Sequence, residues 1–566
     1  MTRTLPNSPS ISLLKKQAKK LLKQFHDGEP HALASVRTHH PKPEAFAGLR
    51  DAQLVIARSY DFQGWSDLSE AVELAQDFDK SLPDKAALFI QLGCMQYNGN
   101  DTLRNYQRAR KLLAAVPDIS EFSFYTALVA NNAKAVATYL ESDSSLAVTP
   151  GGPLDWRPLM YALYSRVGEP EDTQHSLLIV KQLLEHGADP DTHIILNDTY
   201  RFTALTGAMG EGEQGVNQPP HQYADAMAAL LLEAGANPND GQGLYNTMFT
   251  DSGDKWLSVL LSRGLNANAP LNWQDSDHDV PVTTLDYQLA SAVDSNRQAR
   301  VQMLLDAGAN PNTCNTYNNR AIHTNALLAG HATVALLLEE KGAIAEQLDF
   351  KDQFQLACVR EDHASISTLL DTHPSLTEDA TLLHAAAEHA SLQVVKTLIA
   401  RGFDINGQSK HGRTLLHHFA LINDSENIRV LLDLGARADL RDGSYHSLPS
   451  GFAAYSGSYE AMRLLLDASD SLLDAVSCAY LDRAKVLVEI NPASLHDRTE
   501  QGNTLLHVIG YWLHDEPEYE VYKSLVEWLI SVGADINAKN KQEQSPLQFH
   551  IANGSDTLAE LLADYS

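Results

Sequence analysis

Twenty-three histidines and seventy-two acidic residues give this 566-residue chain material for metal or acid–base chemistry, so their spacing is the first test. The tetrapeptide Thr-Leu-Leu-His occurs three times, ending at His384, His417 and His507. If each copy marks one structural unit, the rings stand a unit or more apart, too far to share an ion with ligand bonds of about 2 Å. Asp275-Ser276-Asp277-His278-Asp279 alternates acids as a calcium loop does. Its sixth position is Val280 where such a loop needs glycine, and its twelfth is Asp286 where it needs glutamate, so it reads as a solvated acidic loop. Gly210-Glu211-Gly212-Glu213-Gln214-Gly215 lacks the Lys-Ser/Thr of a phosphate loop and reads as a flexible insertion. No Gly-x-Ser-x-Gly, His-Glu-x-x-His or dinucleotide fingerprint is present. Cys94, Cys314, Cys358 and Cys478 form no Cys-x-x-Cys pair and read as thiols of a reducing compartment. These residues predict no catalytic residue, no cofactor and no metal site, hence a non-enzymatic protein.

The elements that hold these residues repeat. In Lys410–Ala436, Thr414 is placed to cap a helix whose apolar stripe is Leu415, Leu416, Phe419 and Ala420. Asn423-Asp424-Ser425 has turn chemistry, a second helix runs through Ile428, Val430, Leu431 and Leu432, and Gly435 ends it. A helix pair this small cannot bury its own apolar face and needs neighbours stacked on it. Helix-ending glycines recur at 187, 235, 264, 308, 342, 402, 435 and 533, in steps of 48, 29, 44, 34, 60, 33 and 98 residues. With a unit of about 33 residues, the step of 60 holds two units and that of 98 holds three, while 48 and 44 are single units with insertions.

The order Gly-x-Thr-x-Leu-His, spacer, Leu-Leu-x-x-Gly-Ala resembles the ankyrin repeat, although Leu415 stands where that family has proline. Leu183 to Asp191, Leu231 to Asn239, Leu304 to Asn312 and Leu529 to Asn537 resemble the family's second-helix end. The resemblance implies an all-α ankyrin-repeat solenoid with β-turn fingers. It also implies that His384, His417 and His507 bond backbone in neighbouring loops, a structural task.

The segments Gln17-Ala18-Lys19-Lys20-Leu21-Leu22, Asp51 to Arg58 and Phe62-Gln63-Gly64-Trp65 resemble a small helical module that precedes ankyrin arrays in some bacterial proteins. We expect an N-terminal helical module over 1–80, able to cap the apolar end of the stack. A helical hairpin over 81–117 follows, readable as a degenerate repeat. An array of about 13 units covers 118–566. Residues 11–26 predict a helix with Ile11, Leu14, Ala18, Leu21, Leu22 and Phe25 on one face and Lys15, Lys16, Lys19, Lys20 and Lys23 on the other. Such a basic face suits a membrane or nucleic acid, or else solvent or the acidic body of the same protein.

A net charge of −29 argues against nucleic acid and anionic membranes as partners. It keeps a long array soluble and favours a basic protein partner. No apolar signal core or run of about 18 apolar residues is present, so a cytoplasmic location is expected. Ankyrin arrays bind proteins on fingers and inner helices, and here the segments before the first helices are aromatic. Candidate partner-binding residues are Trp156, Tyr200, Phe202, Tyr245, Trp273, Tyr317 and Tyr445, with Tyr511 and Trp512 in an insertion near 510–521. The competing reading packs some of these rings between adjacent fingers. Insertions near 207–222 and 269–283 are further binding candidates. The function expected is a protein-interaction scaffold. The alternatives are a bacterial effector or immunity-type inhibitor, and an enzyme or small-ligand binder with a pocket between the N-terminal module and the array.

Overall fold

The computed structural model describes residues 3–6, 9–46, 48–168, 173–250, 253–269, 283–513, 519–553 and 555–565. Trp273 and the acidic run Asp275 to Asp279, with most of the 269–283 insertion, lie outside these residues. The chain divides into two compact units, one of residues Glu70–Gln347 and one of Met1–Ser69 with Leu348–Ser566.

In the unit Leu348–Ser566 with Met1–Ser69, short helices come in antiparallel pairs. Phe350–Val359 pairs with His363–Thr372, Leu415–Leu421 with Ser425–Asp433, Pro449–Tyr455 with Tyr459–Asp467, and Pro546–Ala552 with Asp556–Ala563. The unit expected at Lys410–Ala436 is present in detail. Leu415, Leu416, Phe419 and Ala420 are buried, as are Ile428 and Leu431 on the second helix. Asp424 caps that helix by accepting the Asn427 N–H at 3.0 Å. It ends when Gly435 and Ala436 donate to the carbonyls of Leu432 and Leu431. All eight helix-ending glycines lie between φ +88° and +103°, the left-handed region that closes a helix at little cost only for glycine.

The fingers are tied along the stack by a motif the repeat pattern alone does not announce. Side-chain oxygens of Asp191, Asn239, Asp286, Asn312 and Asn406 accept backbone N–H groups of Asn237, Asn266, Asn310, Ile344 and Arg437, each about one repeat on. Short Asx side chains suit this task, because they reach a neighbouring loop without large entropy loss.

The three Thr-Leu-Leu-His histidines do what the resemblance implies. His417 Nδ1 accepts the Thr414 N–H at 3.0 Å, and Nε2 donates to the Ser447 carbonyl in the next finger at 3.1 Å. His507 repeats this with Thr504 and Gln544, and His384 Nε2 donates to Gly407 O. Accepting an N–H at Nδ1 fixes the proton on Nε2 in His417 and His507, so these two rings are neutral clips between neighbours.

Within the same unit, α1 (Ile11–His26), α2 (Pro30–His39) and α3 (Leu49–Ser59) bury Leu14, Ala18, Leu21, Leu22, Val55 and Ile56. Helix α3 packs against Tyr519–Ser531. The lysine face of α1 meets acidic repeats of its own chain: Lys19 pairs with Glu560, and His26 lies 3.3 Å from Glu520.

The unit Glu70–Gln347 contains the C-terminal half of α4 (Trp65–Phe78), then α5 (Leu82–Gly93), α6 (Leu103–Ala115) and six further helix pairs among the described residues. Asp77, fully buried at its side chain, is held by both Arg108 (2.6 Å) and Lys80 (2.9 Å). A β-hairpin of β1 (His193–Leu196) and β2 (Tyr200–Thr203) forms one finger. The glycine-rich stretch 210–215 is not loose, contrary to expectation. Glu211 is buried and accepts the Thr250 hydroxyl at 2.6 Å, Glu213 accepts the Tyr245 hydroxyl at 2.6 Å, and Asn217 O accepts the Tyr106 hydroxyl at 3.1 Å. Arg166 is buried and donates to the carbonyls of Pro219, Gly207, Leu163 and Ser165. One guanidinium thus satisfies carbonyls on both sides of the insertion, which is what fixes a glycine-rich loop.

Candidate docking grooves on the finger and inner-helix faces

Finger loops project side chains from backbone that the stack has already immobilised, so aromatic rings there lose little entropy on contact. In the unit carrying Leu348–Ser566, a cavity of about 660 Å³ runs between successive fingers and their inner helices, with Tyr445, Tyr511 and Trp512 in its wall. Tyr445 is 65% exposed. Its loop is rigid because one carboxylate, that of Asp442, accepts the N–H groups of Ser444 (3.0 Å), Tyr445 (3.1 Å) and Ser447 (2.9 Å). Burial alone would raise the Asp442 pKa, but these N–H donors outweigh it and hold the group below its ordinary value.

Trp512 is half-buried against the unit's apolar core and meets Tyr511 edge to face at 5.0 Å. Gly451 packs beside it, and a side chain there would run into the Ser447 hydroxyl. Arg441 and Arg498 complete the groove. Arg441 bonds Asp474 at 2.5 Å and the His446 carbonyl at 2.9 Å. Arg498 donates to the Gly502 and Lys539 carbonyls, both at 2.9 Å. Each arginine joins one finger to the next and leaves part of its guanidinium edge on the groove.

In the unit Glu70–Gln347, a smaller cavity of about 200 Å³ carries Tyr245 and Tyr317. Tyr317 is 80% exposed, and its hydroxyl is 3.2 Å from that of Tyr287. Tyr245 meets Phe249 edge to face at 5.1 Å. Burial, then the bond to Glu213, pushes the Tyr245 hydroxyl well above its ordinary pKa, so it stays a donor.

The nine candidate aromatics therefore separate. Tyr445, Tyr511 and Trp512 converge on one groove, and Tyr245 and Tyr317 on the other. Tyr200 is exposed on β2. Trp156 and Phe202 are off the surface: Trp156 lies in the core 5.6 and 5.5 Å from Tyr161 and Tyr164, and Phe202 packs 4.3 Å from Tyr97. Both rings fill space between neighbouring elements, the competing reading of the pattern. Trp273 lies outside the described residues. Tyr287, Phe249, Arg441 and Arg498 were not singled out by sequence. Tyr287 and Tyr317 stand 30 residues apart, close to one period, and that spacing is the signal that pairs them. Among the described residues no cluster of His, Cys, Asp or Glu could hold a metal, and no helix is long and apolar enough to cross a membrane.

A family model for ankyrin repeats matches residues 354–442 and 382–477. The chain carries ankyrin repeats. Its repeats are similar to the ankyrin repeat domain-containing protein SAT10 of Stachybotrys chartarum, 30% identical over 239 residues, or 40% of this chain and 12% of that protein. They are also similar to the human ankyrin repeat and SOCS box protein 16, 26% identical over 183 residues, or 32% of this chain and 35% of that protein. The chain thus spans about a tenth and a third of these relatives. A chain of the solved complex of the Bdellovibrio bacteriovorus predatory endopeptidase Bd0816 with immunity protein Bd3460 matches 32% of this chain and 97% of its own length, at 21% identity and a TM-score of 0.24.

Proposed function

We propose that this chain is a non-enzymatic scaffold that docks a protein partner in the groove of Tyr445, Tyr511 and Trp512. The observation carrying this reading is Tyr445, an exposed aromatic ring on a loop that three N–H bonds to Asp442 hold still. Exposure supplies the contact, and rigidity removes the ordering cost that weakens flexible anchors. Arg441 and Arg498 offer donors to the partner's backbone or carboxylates, and the −29 charge of the whole chain steers a basic partner toward it. The second groove, at Tyr245, Tyr287 and Tyr317, extends the same surface type.

In this reading each helix pair of 118–566 is one repeat, residues 1–80 are an accessory helical module, and 81–117 is a degenerate repeat. The four free thiols, three of them buried, suit a cytoplasmic setting. The test is affinity capture with the intact protein and with a Tyr445→Ala/Trp512→Ala variant, followed by titration of the captured partner. Loss of the partner by the variant, with its far-UV spectrum retained, supports the groove. Undiminished binding refutes it.

A further inference from the structure

Phe452, buried on the helix Pro449–Tyr455, is a platform shared by one cation and one exposed ring. The Arg413 guanidinium lies over it, 5.0 Å from the ring centroid. Tyr445, the exposed ring of the docking groove, meets the same ring edge to face at 6.3 Å. The two residues stand on adjoining fingers, which are fastened where the Gly443 N–H donates to the His411 carbonyl at 2.8 Å. Arg413 therefore sits beside Tyr445, at the edge of the groove.

This guanidinium has no anion of its own. Arg401, Arg429, Arg437 and Arg441 of the same unit each pair with a carboxylate. Among the described residues, nothing accepts a hydrogen bond from the Arg413 side chain, and its Nε is buried without a partner. Asp442, on the adjoining finger, is engaged by the N–H groups of Ser444, Tyr445 and Ser447. A guanidinium carries five donors, and partly desolvated ones are normally satisfied. The face of Phe452 offsets only part of that need.

Because Nε is covered, the end carrying Nη1 and Nη2 is the one left to an outside acceptor. Two parallel N–H groups there match the two oxygens of one carboxylate. A phosphate dianion calls for further cations, and Arg441, on the adjoining finger, is neutralised by Asp474. Stacking on Phe452 fixes the fork in advance, so less freedom is lost when the carboxylate arrives.

We propose that Arg413 reads an aspartate or glutamate side chain of the docked protein, and that this carboxylate sets the partner's register in the groove beside Tyr445. The inference rests on the groove being a docking site. The net charge of the chain acts at long range on the approach of a basic partner, whereas one guanidinium acts at contact, where charge pairing fixes register. The partner is thus basic in bulk, with one acidic residue next to the group that packs on Tyr445.

The test is selection from a displayed library of random peptides by the intact protein, each peptide fused at its C-terminus so that no terminal carboxylate is free. The wild type is expected to enrich peptides with Asp or Glu at a fixed distance from an apolar or aromatic residue, and Tyr445→Ala/Trp512→Ala should lose them. Arg413→Gln keeps its stem over Phe452 and should weaken these peptides by about tenfold or more. Counterparts with the acid replaced by its amide should bind wild type and Arg413→Gln alike. Arg413→Glu should select Lys or Arg at the same place. Lys410→Gln removes an exposed charge from the same finger and should change affinity less than about twofold. Where Arg413→Gln fails to fold, Arg413→Lys keeps the charge but not the fork, and the acidic peptides should again weaken. Peptides that need Tyr445 and Trp512 but share no acidic position, or equal losses in Arg413→Gln and Lys410→Gln, overturn the role of Arg413 and leave the groove standing. Peptides that bind Tyr445→Ala/Trp512→Ala undiminished, or no selected peptide at all, overturn the groove and this inference with it.

Discussion

Lowering the pH should loosen the repeat around His417 specifically, and one substitution should remove the effect. The ring is fully buried. Desolvation is the largest influence on it and lowers its pKa from 6.5 to about 4, against an opposing bond to the Ser447 carbonyl. The unfolded chain therefore takes up a proton first. The stability tied to the neutral ring is complete above 6.5 and is lost as the pH falls toward 4. A gap of roughly 2.5 units corresponds to about 3 kcal/mol at the acid limit, and to about 2.5 kcal/mol near pH 4.5.

His417→Gln separates capping from titration. Gln548, at the equivalent position of another repeat, accepts the Ser545 N–H at 3.0 Å, so glutamine can keep the cap. It loses the clip to Ser447 O, at a cost of about 1–3 kcal/mol at neutral pH. The variant should start less stable than the wild type and converge with it near pH 4.5. Hydrogen exchange of the 410–420 peptide, corrected for intrinsic rates and converted to a local opening free energy, reads both lines. If His417→Gln keeps the wild-type slope between pH 6.5 and 4, the argument from a buried neutral ring fails.

Gly435→Ala places a Cβ at φ +94° and should cost about 1–2 kcal/mol, visible as a lowered urea midpoint of its unit. Asp442→Ala removes the acceptor of three N–H groups. The loop 442–447 should become a site of limited proteolysis, and partner capture should weaken while the helices persist. Arg166→Met orphans the carbonyls of Gly207 and Pro219, so protease should cut within 210–216 and the unit Glu70–Gln347 should lose about 2–4 kcal/mol.

Much of the fold was legible because its signals are local. Thr414, His417, Asp424 and Gly435 each act on backbone within a few residues, so their order along the chain already states helix start, turn and helix end. Repetition then supplied the tertiary arrangement, since a unit that cannot bury its own apolar face must stack on a copy of itself. The Asx ties between fingers were hidden because Asp and Asn at such positions read equally well as turn residues. Their partners lie a repeat away and become visible only when neighbouring copies are aligned.

The candidate site was less legible, and the rings show why. Trp156, Phe202 and Tyr445 occupy comparable places before the first helices of their repeats, yet two are core and one lines a groove. What separates them is the neighbour: Tyr161, Tyr164 and Tyr97 cover the first two, whereas the Asp442 turn lifts Tyr445 clear. The stretch 210–215 was misread for the same reason, since Arg166 comes from a distant part of the sequence. Sequence by itself determined the repeating helix pair, because helix start, turn and helix end depend on short-range backbone chemistry, and the family resemblance supplied the histidine bonds to neighbouring loops. Only the tertiary structure decided which aromatics face solvent, what holds the glycine-rich insertion, and that the lysine face of α1 meets acidic groups of the last repeats. Those outcomes depend on what packs against a side chain from far along the chain, and periodicity carries no record of that.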